Sequence, residues 1–188
     1  MYGRQGIRGL AILAVLLLAA PAMASMDEKI TIEFVGFGAN PDFYAIAQSD
    51  ALAGKVLIVY QVGVPTPIAS MPLQGTTLKK ALASPTIAPY AIGDKGVSGA
   101  TSPAGFTLVG QGTGAVFHVA ITNGTDSVTL GYIPVFTDPT GLLFAAVSIK
   151  AVFWTADSSR VVLILNQKLG GEWPMDTDVA AAYALKAG

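Results

Sequence analysis

Few residues in this chain are equipped for catalysis. His118 is the only histidine among 188 residues, and there is no cysteine. Thiol nucleophiles, zinc–thiolate sites and iron–sulfur clusters are thereby excluded, as is any metal site built from several histidines. To act as a general base, His118 needs an acid and a nucleophile beside it. Ser127 is near it across the hairpin expected there, diagonal to Thr129, yet no G-x-S-x-G elbow occurs. An exposed strand histidine is the expected role, and no catalytic residue is assigned.

Carboxylates are the remaining option. Paired acid–base chemistry needs two of them converging on one cleft, in surroundings that split their pKa values. Asp94, Asp138, Asp157, Glu172, Asp176 and Asp178 all fall in or beside expected loops, where turn formation and capping account for them. Asp176-Thr177-Asp178 has the spacing of part of a calcium loop, but D-x-D-x-D-G is absent and no metal is assigned. Gly110-Gln-Gly112-Thr-Gly114-Ala115 fits G-x-G-x-x-A. A dinucleotide site requires a helix to follow, and Val116 to Gly124 reads instead as strand and turn. No cofactor is expected.

Aromatic side chains offer binding rather than catalysis. Trp154, Trp173, Tyr60 and Tyr132 have the rings for a sugar or peptide platform. Trp173 sits in Gly170-Gly-Glu-Trp-Pro174, a loop composition where burial of a large ring is less expected; the competing reading has it folded back as a lid on the core. Trp173, Trp154 and Tyr132 are the candidate binding surface.

Composition narrows the setting. Charged residues make up 12% of the chain and hydrophobic ones 52%, with a formal net charge of −1. That argues against a coiled coil, a disordered tail or a basic nucleic-acid binder. Arg4 and Arg8 precede an apolar core from Leu10 to Ala20, broken by Pro21 and followed by Ala22-Met23-Ala24. This is the pattern of a Sec-type signal peptide over residues 1–24, cleaved between Ala24 and Ser25. Export to the periplasm or beyond is expected, with residues 25–188 as one domain and no stable membrane span after cleavage. Loss of the two arginines leaves nine basic residues against twelve acidic ones, so nucleic acid is not an expected partner.

The elements that must position any site read mostly as strands. Ile30, Ile32 and Phe34 alternate with Thr31 and Glu33, as in a half-buried strand. Phe43 to Ala47, Val56 to Tyr60 and Val161 to Leu165 are apolar, β-prone runs bounded by turn residues. Pro65, Pro67 and Pro72 make 63–72 a loop or an edge. Thr76-Thr77 caps one short helix that Pro85 ends, and Gly93 to Gly105 is a long surface loop. Asn123-Gly124 predicts a two-residue hairpin turn. This turn would pair Phe117 with Leu130, Ala115 with Tyr132 and His118 with Thr129, placing His118 on a polar face. Gly141 to Trp154 fits a strand plus a bend. Asp178 to Lys186 is open between helix and closing strand.

Residues 35–46 can be laid over 152–163. In each, a strand ends in an aromatic (Phe37, Trp154), an Asn or Asp follows three residues later (Asn40, Asp157), and a second strand starts. The expected hairpin has its Asx side chain accepting a turn N–H, with the aromatic packed beneath, in the style of β-propeller blades. The offset of 117 residues fits about three blades only loosely, and with no middle copies and a short mature chain a closed propeller is not expected.

This layout resembles a family of exported bacterial proteins that carry a domain of unknown function. Gly36-Phe37-Gly38-Ala39-Asn40 matches its N-terminal G-F-S-x-D-G-like hairpin, and Leu57-Ile58-Val59-Tyr60 its I-x-V-aromatic strand. Lys79 to Ser84 and Tyr90 to Gly96 match its helix and Y-x-I-x-x-x-G segment, and Arg160 to Leu185 its closing strands. Gly38 and Pro41 depart from its usual serine and glycine. The resemblance implies export and a β-rich fold and transfers no site. Together these readings give an all-β, mainly antiparallel chain of blade-like hairpins or a sandwich, with one short helix. The expected role is a non-catalytic binding or structural module of the cell envelope, its partner an envelope protein or a glycan. A carboxylate-dependent hydrolase and a self-assembling envelope subunit are the alternatives.

Overall fold

Two apolar meanders dominate the chain: β1 (Lys29–Phe37), β2 (Phe43–Asp50) and β3 (Gly54–Gln61), then β9 (Ala146–Trp154), β10 (Arg160–Leu169) and β11 (Met175–Ala184). The structure, a computed structural model, describes residues 29–185 apart from positions 52 and 173. The signal segment, Ala24, Ser25 and Trp173 lie outside those residues. Between the meanders come β4 (Ala69–Pro72), α1 (Leu78–Leu82), a 3₁₀ turn (Ala88–Tyr90) and β5 (Val97–Ser98). The three strands β6 (Thr107–Thr113), β7 (Val116–Thr122) and β8 (Ser127–Pro134) complete the fold.

The meanders join in one eight-stranded sheet of order β4-β3-β2-β1-β11-β10-β9-β5, while β6-β7-β8 form a second sheet. All pairings are antiparallel except β1 with β11, which meet in parallel only at Lys29 and Ile30. In that order the second meander is the first displaced by three strand positions. The tips agree as well. Gly38 N–H bonds Phe43 C=O at 2.8 Å, and Thr155 N–H bonds Arg160 C=O at 3.1 Å, each 117 residues from its counterpart. Phe37 and Trp154 beneath these tips are fully buried.

Burial on two faces explains the unbroken apolar runs. The face of β1–β3 bearing Ile32, Phe37, Tyr44, Ile46 and Tyr60 packs on that of β10 and β11 bearing Val162, Ile164, Ala180 and Ala182. Behind it, Val35, Ala45, Leu57 and Val59 are covered by Ala81 of α1 and by Ile87. On the far side, Trp154, Leu163, Leu165 and Tyr183 pack against Phe117, Val119, Ile121, Leu130 and Ile133 of the second sheet. Alanine at positions 180–182 suits a strand squeezed between two layers, and this resolves the C-terminal segment as a strand over its described length.

Two hairpin expectations need correction. The turn after β7 spans Asn123 to Asp126, because the Asn123 Oδ1 accepts the N–H of both Thr125 (3.0 Å) and Asp126 (2.8 Å). Thr122 therefore pairs with Ser127, not Thr125. Leu130 then bulges out of register, so Phe117 faces Ile133 and His118 faces Tyr132. The bulge sends Tyr132 to the outer face beside His118 and lets Leu130 stay buried. α1 begins at Leu78 with Thr77 capping the N–H of Lys80, as its sequence predicts.

Candidate functional site

Where β1 meets β11, polar side chains replace the core. Asp178 on β11 is buried, and its Oδ2 accepts the Ile32 N–H at 2.9 Å and the Lys150 Nζ at 2.5 Å. Asn166 on β10 donates one amide to Asp178 Oδ1 (3.0 Å) and to Asp176 Oδ1 (2.8 Å). Lys29 and Lys168 stand 3.8 and 3.9 Å from the other Asp176 oxygen. Asn166 first, then Lys168, Lys29 and Lys150, hold the Asp176 carboxyl below the usual range. The cluster lines an open depression of about 370 Å³.

These two carboxylates converge, as a hydrolase requires, but they sit on one strand and share one amide donor. Asp178 is closed off by donors from β1, β9 and β10, a clasp fixing β1 as it leaves the ladder. A proton donor needs a raised pKa, and that of Asp176 moves down.

A second feature lies at the β8–β9 connection. Leu142, Leu143 and Phe144 are 79%, 56% and 44% exposed. Burying one such side chain is worth about 1.5–3 kcal/mol, so three adjacent exposed ones forgo several. The loop is nonetheless well built. The Asp138 Oδ1 accepts the N–H of Leu142 (3.0 Å) and Leu143 (2.9 Å), and its Oδ2 accepts the Thr140 hydroxyl. Asp138 N–H returns to Leu143 C=O at 3.0 Å. Those bonds, the Thr140 hydroxyl foremost, lower the Asp138 pKa. At the loop base, the buried Gln167 accepts the Phe136 N–H (2.8 Å) and donates to Pro134 C=O (3.1 Å).

The surroundings carry little charge. Residues 96–149, which include the whole second sheet and this loop, contain no lysine or arginine and only two acids, Asp126 and Asp138. The outer face of the second sheet presents Val109, Ala120, Thr129, His118 and Tyr132, with Tyr132 55% exposed. His118 meets Tyr132 edge-to-face at 4.7 Å.

The residues singled out in the sequence scatter. Trp154, expected at a binding surface, is wholly buried and donates its Nε1–H to Gly99 C=O at 2.8 Å. Its ring is the floor of the β9–β10 tip and is closed to a ligand. Tyr60 is buried too, stacked on Tyr44 at 5.6 Å, and Tyr132 alone of the described aromatic candidates faces outward. Ser127 pairs with Thr122, two same-face positions from His118, so the turn and bulge separate them. Asp94 caps Gly96 N–H at 2.9 Å. Asp157 takes Thr155 Oγ (2.6 Å) and Ser159 N–H (2.9 Å), the turn role expected of it. The glycine motif lies in the paired strand β6, where a Cβ on Gly110 would stand 2.4 Å from the Phe117 ring. Close packing, not phosphate, requires that glycine.

The exposed loop had a legible boundary: Asp138-Pro-Thr-Gly141 is a turn sequence that cuts the apolar run. The corner cluster had none, since its members come from four strands. Comparison with protein families, curated proteins and solved structures gave no match.

Proposed function

We propose that this chain is a non-catalytic binding module of the bacterial envelope, exported by the signal at its N-terminus, which grips an envelope partner through the 137–144 loop. The observation that carries this reading is the Leu142–Leu143–Phe144 tip, exposed yet held in one shape by Asp138. A loop ordered by its own hydrogen bonds does not collapse onto the core, so its apolar side chains stay presented to a partner. The uncharged sheet beside it favours a partner of low charge and gives no grip on nucleic acid. The hydrolase reading is weaker, because Asp178 is enclosed and Asp176 is tuned away from proton donation.

Site-specific photocrosslinking tests this. A photoactivatable residue at Leu143 should give an adduct of defined mass in cells exporting the protein, and the same residue at Thr129 should not. Absence of adducts at Leu143 would overturn the binding role.

A further inference from the structure

The internal repeat says what belongs beside β9. Each first strand carries one bulged residue, Val35 in β1 and Lys150 in β9. The 117-residue offset therefore holds at both ends, and Lys29–Ile30 correspond to Ala146–Val147. The side of β1 away from β2 takes a parallel strand at Lys29 and Ile30, and the Ile32 N–H on that side finds Asp178. On β9 the equivalent side is covered at its far end, and just ahead of the strand Ala145 N–H bonds Phe136 C=O at 2.8 Å. β5 pairs with Phe153 and Trp154, and Gly99 N–H bonds Val152 C=O. From Ala146 to Ala151 no strand is hydrogen-bonded to that side among the described residues, although β6 passes close by and Gly110 packs against Ile149. The exposed tip Leu142–Phe144 immediately precedes this open edge.

We propose that the outer edge of β9 from Ala146 to Lys150 is a strand-addition site for an extended segment of another protein, running parallel to β9. This rests on the binding role of the neighbouring loop and gives its mode. Main-chain N–H and C=O groups would supply affinity, as in other strand additions. The segment carries alternating apolar side chains on the side of Val147 and Ile149, which already lean on the core, and few charges, matching residues 96–149. A second copy of this chain fits poorly. Its equivalent third strand, β3, is covered by β4 from Val56 to Val59, and Leu73 N–H takes Lys55 C=O at 2.7 Å. Two β9 edges related by a two-fold axis would pair antiparallel, against the repeat.

The cysteine-free chain allows a clean test. The full protein carrying Ala146→Cys is mixed, in a glutathione redox buffer, with a peptide of the sequence Thr177–Leu185 bearing one added cysteine at either end. A parallel strand predicts at least tenfold more mixed disulfide with the N-terminal cysteine. On the unmodified protein, fluorescence anisotropy should show the labelled peptide binding, with at least tenfold loss when alternate peptide nitrogens are methylated. Ile149→Pro should give a similar loss. The methylated peptide keeps the test valid if that variant fails to fold. Equal yields from both ends, or binding indifferent to methylation, overturns the proposal. So does a disulfide-linked dimer of A146C as the main product, which assigns the edge to a second copy. Leu143 adducts in cells without peptide pairing would retire the strand-addition mode and leave the binding role standing. Leu143-dependent sedimentation with phosphatidylcholine vesicles, again without peptide pairing, would hand the loop to a bilayer.

Discussion

Asn40 and Asp157, 117 residues apart, perform the same act: each side-chain oxygen accepts the N–H two residues ahead, from Asp42 at 3.0 Å and from Ser159 at 2.9 Å. One is a neutral amide and the other an ion, so equivalent turns differ in their response to acid. The Thr155 hydroxyl, then the N–H and hydroxyl of Ser159, bring the Asp157 pKa from 3.8 to about 2.

Because that pKa is lower in the folded chain, the unfolded chain binds the proton more readily as the medium acidifies. The Asp157 contribution is thus complete above its unfolded pKa of 3.8 and disappears as pH falls toward about 2. Asp157→Asn keeps the acceptor and should flatten the fall in melting temperature across that window. Asp157→Ala loses the acceptor at every pH and should cost about 1 kcal/mol, or ~2–4 °C. Thermal melts from pH 2 to 7 decide; an unchanged slope in the asparagine variant counts against this assignment.

The repeat was legible because Asx turns and aromatic strand ends are local events, written within a few residues. The strands β2, β3 and β10 were legible as runs too apolar for one solvated face. Register was not. Whether Asn123 closes a two- or four-residue turn depends on which N–H its side chain takes, and the Leu130 bulge answers to the core beneath it. Trp154 misled for a related reason: a tryptophan next to a turn has the same sequence context whether its ring lies over the tip or under it. The clasp around Asp178 joins β1, β9, β10 and β11, and no spacing along the chain encodes that meeting.

Removing the clasp should loosen the β1–β11 junction between the two meanders. Asp178→Ala leaves the Ile32 N–H and the Asn166 amide without that acceptor, and about 2–3 kcal/mol of stability should go with it. Lys150 is half exposed, so Lys150→Met should cost less than 1 kcal/mol. Urea unfolding measures both, and amide exchange should quicken at Ile32 well before the β10 amides. Similar losses in both variants would mean the ion pair, not the backbone bond, holds the corner.

Gly110→Ala tests what the glycine motif is for. The new Cβ would meet the Phe117 ring at 2.4 Å and Ile149 Cδ1 at 3.0 Å, and the buried ring has little room to yield. A loss of about 1–3 kcal/mol is expected, partly restored by adding Phe117→Leu. Gly112→Ala, whose nearest ring atom is 3.6 Å away, should be milder. Equal penalties at the two glycines would argue for a backbone rather than a packing requirement.

The loop separates order from stability. Leu142 is the most exposed of the three, so Leu142→Ser should leave the unfolding free energy within about 0.5 kcal/mol of the parent, while serine at the half-covered Leu143 and Phe144 should cost somewhat more. Asp138→Ala should spare global stability while freeing the N–H groups of Leu142 and Leu143, whose exchange with solvent should accelerate. The Asp138 pKa lies below its ordinary 3.8, so the loop stays closed above that value and opens as the carboxylate is protonated below it. Amide exchange at those two residues, followed from pH 6 down to pH 3 after correction for intrinsic rates, should show this opening. The partner photocrosslinked at Leu143 should lose its adduct in the serine variants and keep part of it in Asp138→Ala, where the side chains remain but their shape is no longer fixed. Full retention in Asp138→Ala would mean that apolarity alone recruits the partner and that the preformed loop shape adds nothing.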